Sequence, residues 1–230
     1  MGVERFRGES PKNLENKCLC TLVVDISGSM SESMGELNAA LKNFFRDIEN
    51  DNNVPEMTKE KLEICVIAFD EDVQFLRNPS LLEPGEVPPI LKTRGSTTGS
   101  VEALEAAIQM THDRKDFYNE TGQTYYRPWI VFMTDGEPYP FNESKISAIE
   151  TRIKHEVDLK KYYILGLGVG KQISERTLKR LTAGEARALK GTNFGDFFNW
   201  LSNSMSMIVS SIPGQKVDTT KGQSEWMKPW

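Results

Sequence analysis

Cysteine is scarce, with three in 230 residues, and that excludes a disulfide-stapled scaffold. Cys18 and Cys20 stand two apart on what reads as one strand, facing the same way with poor geometry for bonding each other. With only two separated histidines, His112 and His155, they make no zinc site, so a reduced cytoplasm is the expected setting. Long apolar runs are also missing. The longest, such as 130–133 and 162–167, fall far short of the roughly 18 residues that cross a bilayer. No apolar core follows the charges of the N-terminal MGVERFRGESPKNLENK, so neither a membrane span nor a secretory signal is expected. Nor is there an excess of basic charge: 28 Lys+Arg stand against 33 Asp+Glu, with a net charge of −5 and a pI near 5.3. Nucleic acid and anionic membrane are not expected partners.

Several signatures of catalysis are absent too. Gly166-Leu167-Gly168-Val169-Gly170 follows a strand, but its spacing is wrong for a dinucleotide fingerprint, and Lys171 belongs to no Walker-type phosphate loop. There is no G-x-S-x-G, and His112 and His155 read as surface or helix-end residues. The three cysteines read as small core residues rather than thiolate nucleophiles. The charge runs at 56–63 and 176–180 read as solvated faces.

What is present is an alternation of buried-strand runs with amphipathic helices. Strands are expected at 18–24, 62–69, 130–133, 162–167 and, weakly, 188–189. Val73 and Phe75 alternate as a short antiparallel edge after the Asp70-Glu71-Asp72 turn. Helical stripes run through Leu37, Leu41, Phe44, Phe45 and Ile48; Val101, Leu104 and Ile108; Ile146, Ile149, Ile153 and Val157, with Asn142 as N-cap; and Phe194, Phe197, Phe198, Leu201, Met205 and Ile208. A short helix is expected near 174–181, a Pro-rich connection over 78–95 and a polar loop over 112–128. The fold class is therefore α/β, a doubly wound, mostly parallel sheet with one antiparallel edge strand and helices on both faces. Residues 1–16 read as an extension, 17–210 as one domain and 211–230 as a mobile tail.

In open α/β sheets ligands sit beyond the carboxyl ends of the strands. Three segments expected there are rich in oxygen ligands: Asp25-Ile26-Ser27-Gly28-Ser29-Met30, Gly95-Ser96-Thr97-Thr98-Gly99 and Met133-Thr134-Asp135-Gly136-Glu137. Such hard donors suit Mg²⁺ or Mn²⁺ far better than zinc. With Asp25 and Asp135 the only carboxylates among hydroxyls, an ion there would stay under-neutralised and attract an external carboxylate.

VVDISGSM, RGSTTGSVEAL and IVFMTDGEP resemble the von Willebrand factor A domain and its metal-ion-dependent adhesion site, over roughly residues 17–210. The resemblance implies a divalent ion held by Asp25, Ser27 and Ser29, with Asp135 and a threonine. A Gly-x-Thr count selects Thr97; counting back from Leu104 selects Thr98, which is preferred because the helix fixes the register. Within the family, the single-domain form and Phe-rich last helix resemble bacterial TerY-type tellurite-resistance and stress proteins, without the cysteine-rich zinc extension some of them carry. The function implied is a non-enzymatic, metal-dependent module that binds an Asp or Glu of a protein partner. One alternative is a Mg²⁺-dependent phosphotransfer enzyme, disfavoured because Ser27 stands where such enzymes need a second carboxylate. Another is an accessory subunit of an ATP-driven chelatase or remodelling complex. The resemblance also implies coupling between the metal site and the helix that carries Phe194 to Ile208.

Overall fold

The computed structural model describes residues 6, 8–50, 55, 57–170 and 172–230. In chain order it contains β1 (Cys18–Asp25), a 3-10 turn (Gly28–Glu32), α1 (Met34–Glu49), α2 (Met57–Lys61), β2 (Leu62–Phe69), β3 (Val73–Ser80) and α3 (Ser100–Glu120). These are followed by β4 (Trp129–Thr134), α4 (Glu143–Asp158), β5 (Tyr163–Gly168), α5 (Glu175–Leu181), β6 (Ala186–Leu189), α6 (Phe194–Val209), α7 (Gln223–Trp226) and β7 (Met227–Lys228). Seven strands form one sheet in the order β3-β2-β1-β4-β5-β6-β7. The five inner strands are parallel, and β3 pairs antiparallel with β2, as the fold class requires.

The near-continuous apolar composition of β1 has a direct cause, since both of its faces are covered. Cys18, Cys20, Leu22 and Val24 pack in the layer with α1 and α6, while Leu19 and Val23 pack with α3, α4 and α5. All three cysteines are free and buried, and burial pushes the Cys18 thiol up to about 12, consistent with core residues rather than nucleophiles.

Four expectations are corrected. The loop expected over 112–128 is helical as far as Glu120, because polar residues of α3 are buried in an ion-pair cluster. The Arg114 guanidinium donates to both carboxylate oxygens of Glu63 and to Glu9, each at 2.7 Å. It also lies 4.3 Å from the Phe117 ring centre, and the Tyr118 hydroxyl donates to Glu63 at 2.6 Å. For the same reason 56–63 is no solvated face: Thr58, Lys61 and Glu63 are buried, while Glu56 lies outside the described residues. The Pro-rich connection begins later than expected, because β3 continues to Ser80. As an edge strand it tolerates Pro79, whose missing N–H has an open side to face.

The fourth correction concerns 211–230, expected as a mobile tail. Its last residues form β7, which pairs antiparallel with β6 and makes a second, short antiparallel edge. Trp226 is fully buried between Phe197 and Trp200, at ring separations of 5.0 and 5.1 Å. Trp230 lies so close over Gly168 that a Cβ there would stand 2.5 Å from its ring. The glycine-rich exit of β5 thus makes room for close packing and holds no phosphate signature.

Trp226→Ala is expected to cost about 3–5 kcal/mol, the range for emptying a buried aromatic site. Urea denaturation would check it, and a cost within error of zero would restore the mobile-tail reading.

Candidate metal centre

Parallel pairing of β1 and β4 places Val24 opposite Met133, so the next residues, Asp25 and Thr134, emerge side by side at the carboxyl edge of the sheet. The Thr134 hydroxyl donates to Asp25 Oδ2 at 2.6 Å. Asp25 Oδ1 accepts the Ser27 N–H at 2.8 Å, which folds the chain back over the carboxylate. The Ser27 and Ser29 hydroxyls stand 3.1 Å apart, and Ser29 Oγ donates to Asp135 Oδ1 at 2.7 Å. Asp25, Ser27, Ser29 and Asp135 therefore form one hydrogen-bonded cluster. Asp25 is completely buried, Asp135 nearly so, and Ser29 is exposed, which opens the cluster to solvent.

Electrostatically the cluster lacks a counter-charge. Burial pushes the Asp25 carboxyl above the ordinary range, against bonds from Thr134 and Ser27 that favour its ionised form, and the neighbouring Asp135 charge raises it further. Burial raises Asp135 as well. Among the described residues no basic side chain pairs with either carboxylate.

The two threonines sit differently. Thr98 is buried, joined to Tyr139 by a pair of backbone bonds of 3.0 Å, and its hydroxyl stands 3.7 Å from where a Gly136 Cβ would be. The Thr97 hydroxyl is buried with no hydrogen-bond partner. Two uncompensated carboxylates bonded to a pair of neighbouring hydroxyls are what a cation would satisfy. The donor set of hydroxyl and carboxylate oxygens fits Mg²⁺ or Mn²⁺. No group of three or more His, Cys, Asp or Glu among the described residues is placed to hold an ion, so hydroxyls would have to take part.

The sequence reading missed three supports of this cluster, Thr134, Asp70 and Arg94. Thr134 lies within a motif that gives it no separate role in sequence. Asp70 reads in sequence as a turn residue, yet it too follows a strand end, and Arg94 binds it at 2.7 Å and Asp72 at 2.7 Å. The Arg94 N–H donates to the Ile26 carbonyl at 2.8 Å, and the Ile26 N–H to Phe69, so this pair anchors the loop that carries Ser27. Gly28 lets the loop approach the Gly95 carbonyl, 3.3 Å from where its Cβ would be. Neither histidine enters the cluster: His112 bonds Glu156 at 2.9 Å across α3 and α4, and His155 is exposed on α4.

No protein-family model and no curated protein sequence matches the chain. Solved structures do. The vWF domain of the type V pili tip protein Mfa5 from Porphyromonas gingivalis superimposes with a TM-score of 0.60 at 11% identity, over 89% of this chain and 99% of that one. The fold is that of a von Willebrand factor A domain. A vWA fold is also matched in proximal thread matrix protein 1 from the mussel byssus, at a TM-score of 0.55 and 13% identity over 84% of this chain and 49% of that one. A further structure of the mussel protein, with a zinc-occupied MIDAS motif, matches at 0.50 and 15% over 86% and 46%. The chain spans about half the length of the mussel protein. No helix among the described residues is long and apolar enough to cross a membrane.

The Asp70–Arg94 contact generates a pH test. Burial works against the Asp70 charge, but the Arg94 bonds hold its carboxyl below the ordinary range. A depressed folded-state value means stability that is present above the ordinary carboxyl range, near pH 4, and lost as pH falls through the folded value. Asp70→Asn is therefore expected to melt below the wild type at neutral pH, with the gap closing under acid. Melting curves would check this, and a gap that persists at the lowest pH would mean the charge is irrelevant.

Proposed function

We propose that the chain is a divalent-metal-dependent protein-interaction module. Asp25, Ser27, Ser29 and Asp135, with Thr97 or Thr98, would hold the ion, and an Asp or Glu of a protein partner would complete its coordination. The observation that carries this reading is the convergence of two buried carboxylates without a counter-ion on a cluster of hydroxyls that opens to solvent at Ser29. When bound, the ion supplies a Lewis-acidic position for an external carboxylate. The chain's own residues fix that position: Thr134 and the Ser27 N–H orient Asp25, and Asp135 orients the Ser29 hydroxyl. The mussel protein's zinc-occupied motif supports a divalent ion at this edge of the fold.

The hard oxygen set favours Mg²⁺ or Mn²⁺ over zinc, and three free buried cysteines agree with a reduced, cytoplasmic setting. A place in a tellurite-resistance or stress system rests on the sequence resemblance alone. Ser27 weighs against the phosphotransfer alternative, since acid–base chemistry beside an Asp25 nucleophile would need a second carboxylate there.

Mg²⁺ or Mn²⁺ is expected to raise the melting temperature, with a stabilisation of about 2.7 kcal/mol when the free ion exceeds its Kd about a hundredfold. Asp25→Ala should abolish the effect, and whichever of Thr97→Ala and Thr98→Ala weakens it more identifies the ligand. Unchanged ion binding by Asp25→Ala in calorimetry would refute the assignment. Turnover of a phosphate ester that is lost in Asp25→Asn would replace the binding module with the phosphotransfer enzyme.

A further inference from the structure

A cavity of about 330 Å³ opens beside the metal loop, between the start of α3, the 138–142 segment and Glu71. It adjoins the cluster described above: Thr98 lines it, and the Thr98 hydroxyl stands 3.7 Å from where a Cβ of Gly136, the neighbour of Asp135, would be. Its outer wall is held in place: the Tyr139 N–H donates to the Thr98 carbonyl and the Thr98 N–H to the Tyr139 carbonyl, both at 3.0 Å. Tyr139 is nonetheless 61% exposed, so its ring is available to a partner.

We propose that this cavity receives a basic side chain of the same partner, so that the recognised element is an acidic residue with an arginine or lysine close by. The proposal rests on the reading of the metal centre given above. The lining supports it in three ways. Val101, Pro138 and Ile146 suit the aliphatic stem of such a residue. The exposed Tyr139 ring suits its cationic head. Glu71, exposed and without an ion pair among the described residues, and Glu102, which shares its charge with Lys145 at 2.6 Å, leave the lining net acidic.

Wider charge balance points the same way. A divalent ion offsets Asp25 and Asp135, but a partner's carboxylate then adds a negative charge beside Glu71, and a basic neighbour on the partner removes that repulsion. The first turn of α3 carries partial positive charge, so the cationic head would lie at the rim by Glu71 and Tyr139, with its stem across the floor. A second acidic group would meet the helix favourably but face Glu71 and Glu102, which decides against it.

The test uses the full chain with Mg²⁺ and acetylated, amidated pentapeptides. These carry one Asp and, one or two positions away, Arg, Leu or Glu on a Gly/Ser background, with binding followed by NMR shifts. The Arg peptides should bind about tenfold tighter than the Glu peptides, the scale of one cation–π contact plus an exposed ion pair. Combining Glu71→Gln with Tyr139→Ala should reduce that ratio to about twofold while leaving the Leu peptide's affinity unchanged. Metal-dependent binding with equal affinity for Arg and Glu peptides, or with Leu preferred to Arg, would overturn the proposal and leave the metal centre standing. A second arm uses N-acetylargininamide with the metal chelated. Shifts confined to Glu71, Glu102 and Tyr139 would support the cavity even if no peptide showed metal dependence, which would sink the metal reading alone. No shift there with either probe would overturn the cavity.

Discussion

Everything at the functional edge depends on one contact, the hydrogen bond from Thr134 to Asp25 across the seam between β1 and β4. It exists because the parallel register carries both residues out of the sheet together, and a slip of one residue would send Asp25 to the opposite face. With one carboxylate oxygen fixed by Thr134, the other is free to receive the Ser27 N–H, and that turn sets Ser27 and Ser29 facing Asp135. The loop is tied from the far side as well, through Phe69, Ile26, Arg94 and Asp70. Three strands therefore hold a loop whose side chains would otherwise repel one another.

Helix α6 is seated with little freedom. Phe198 meets Phe44 of α1 at a ring separation of 5.1 Å, and Phe197 is covered by Trp226. At its C-terminal end the Val209 carbonyl accepts from Tyr126 at 3.0 Å and Lys61 at 3.3 Å, and Ser206 lies 3.4 Å from Thr58. A sliding motion of α6 coupled to the metal loop would have to break these bonds and lift Trp226 from its site. A single metal–carboxylate contact shifts an equilibrium only by its differential affinity for the two packings. A single fixed seating of α6 is the packing these contacts favour.

The inner strands, the long helices and the two segments that the structure joins, 25–30 and 133–137, were legible because each has a local signature. Buried parallel strands are uniformly apolar, helices carry a 3.6-residue stripe, and Asn142 and Ser174 cap their helices as such residues do. What escaped was non-local. Glu63 and Arg114 are far apart in sequence, and each looks solvated until the other is known. From residue 218 onward the C-terminal stretch carries only three large apolar residues, Trp226, Met227 and Trp230, too few to show a period, yet Trp226 alone fills a site bounded by two aromatic rings. Asp70 resembled any turn aspartate, since nothing local reveals that Arg94 returns to it through a proline-rich connection.

The protonation pattern of the cluster bears on how an ion and a partner would act together. The Ser29 hydroxyl donates to Asp135, which leaves its oxygen to accept from Ser27 and to present its remaining lone pair, and Asp25 is already oriented by two donors. The donors are thus arranged before any cation arrives, which lowers the ordering cost of binding. Yet only two of the oxygens carry formal charge, and the protein alone cannot saturate a hard divalent ion that takes six or more ligands. An incoming carboxylate adds both a ligand and a charge, so on the proposed reading it tightens the ion, and by reciprocity the ion tightens the partner by the same factor. Recognition is then a property of the ternary arrangement, with neither the ion nor the partner held firmly by the chain alone.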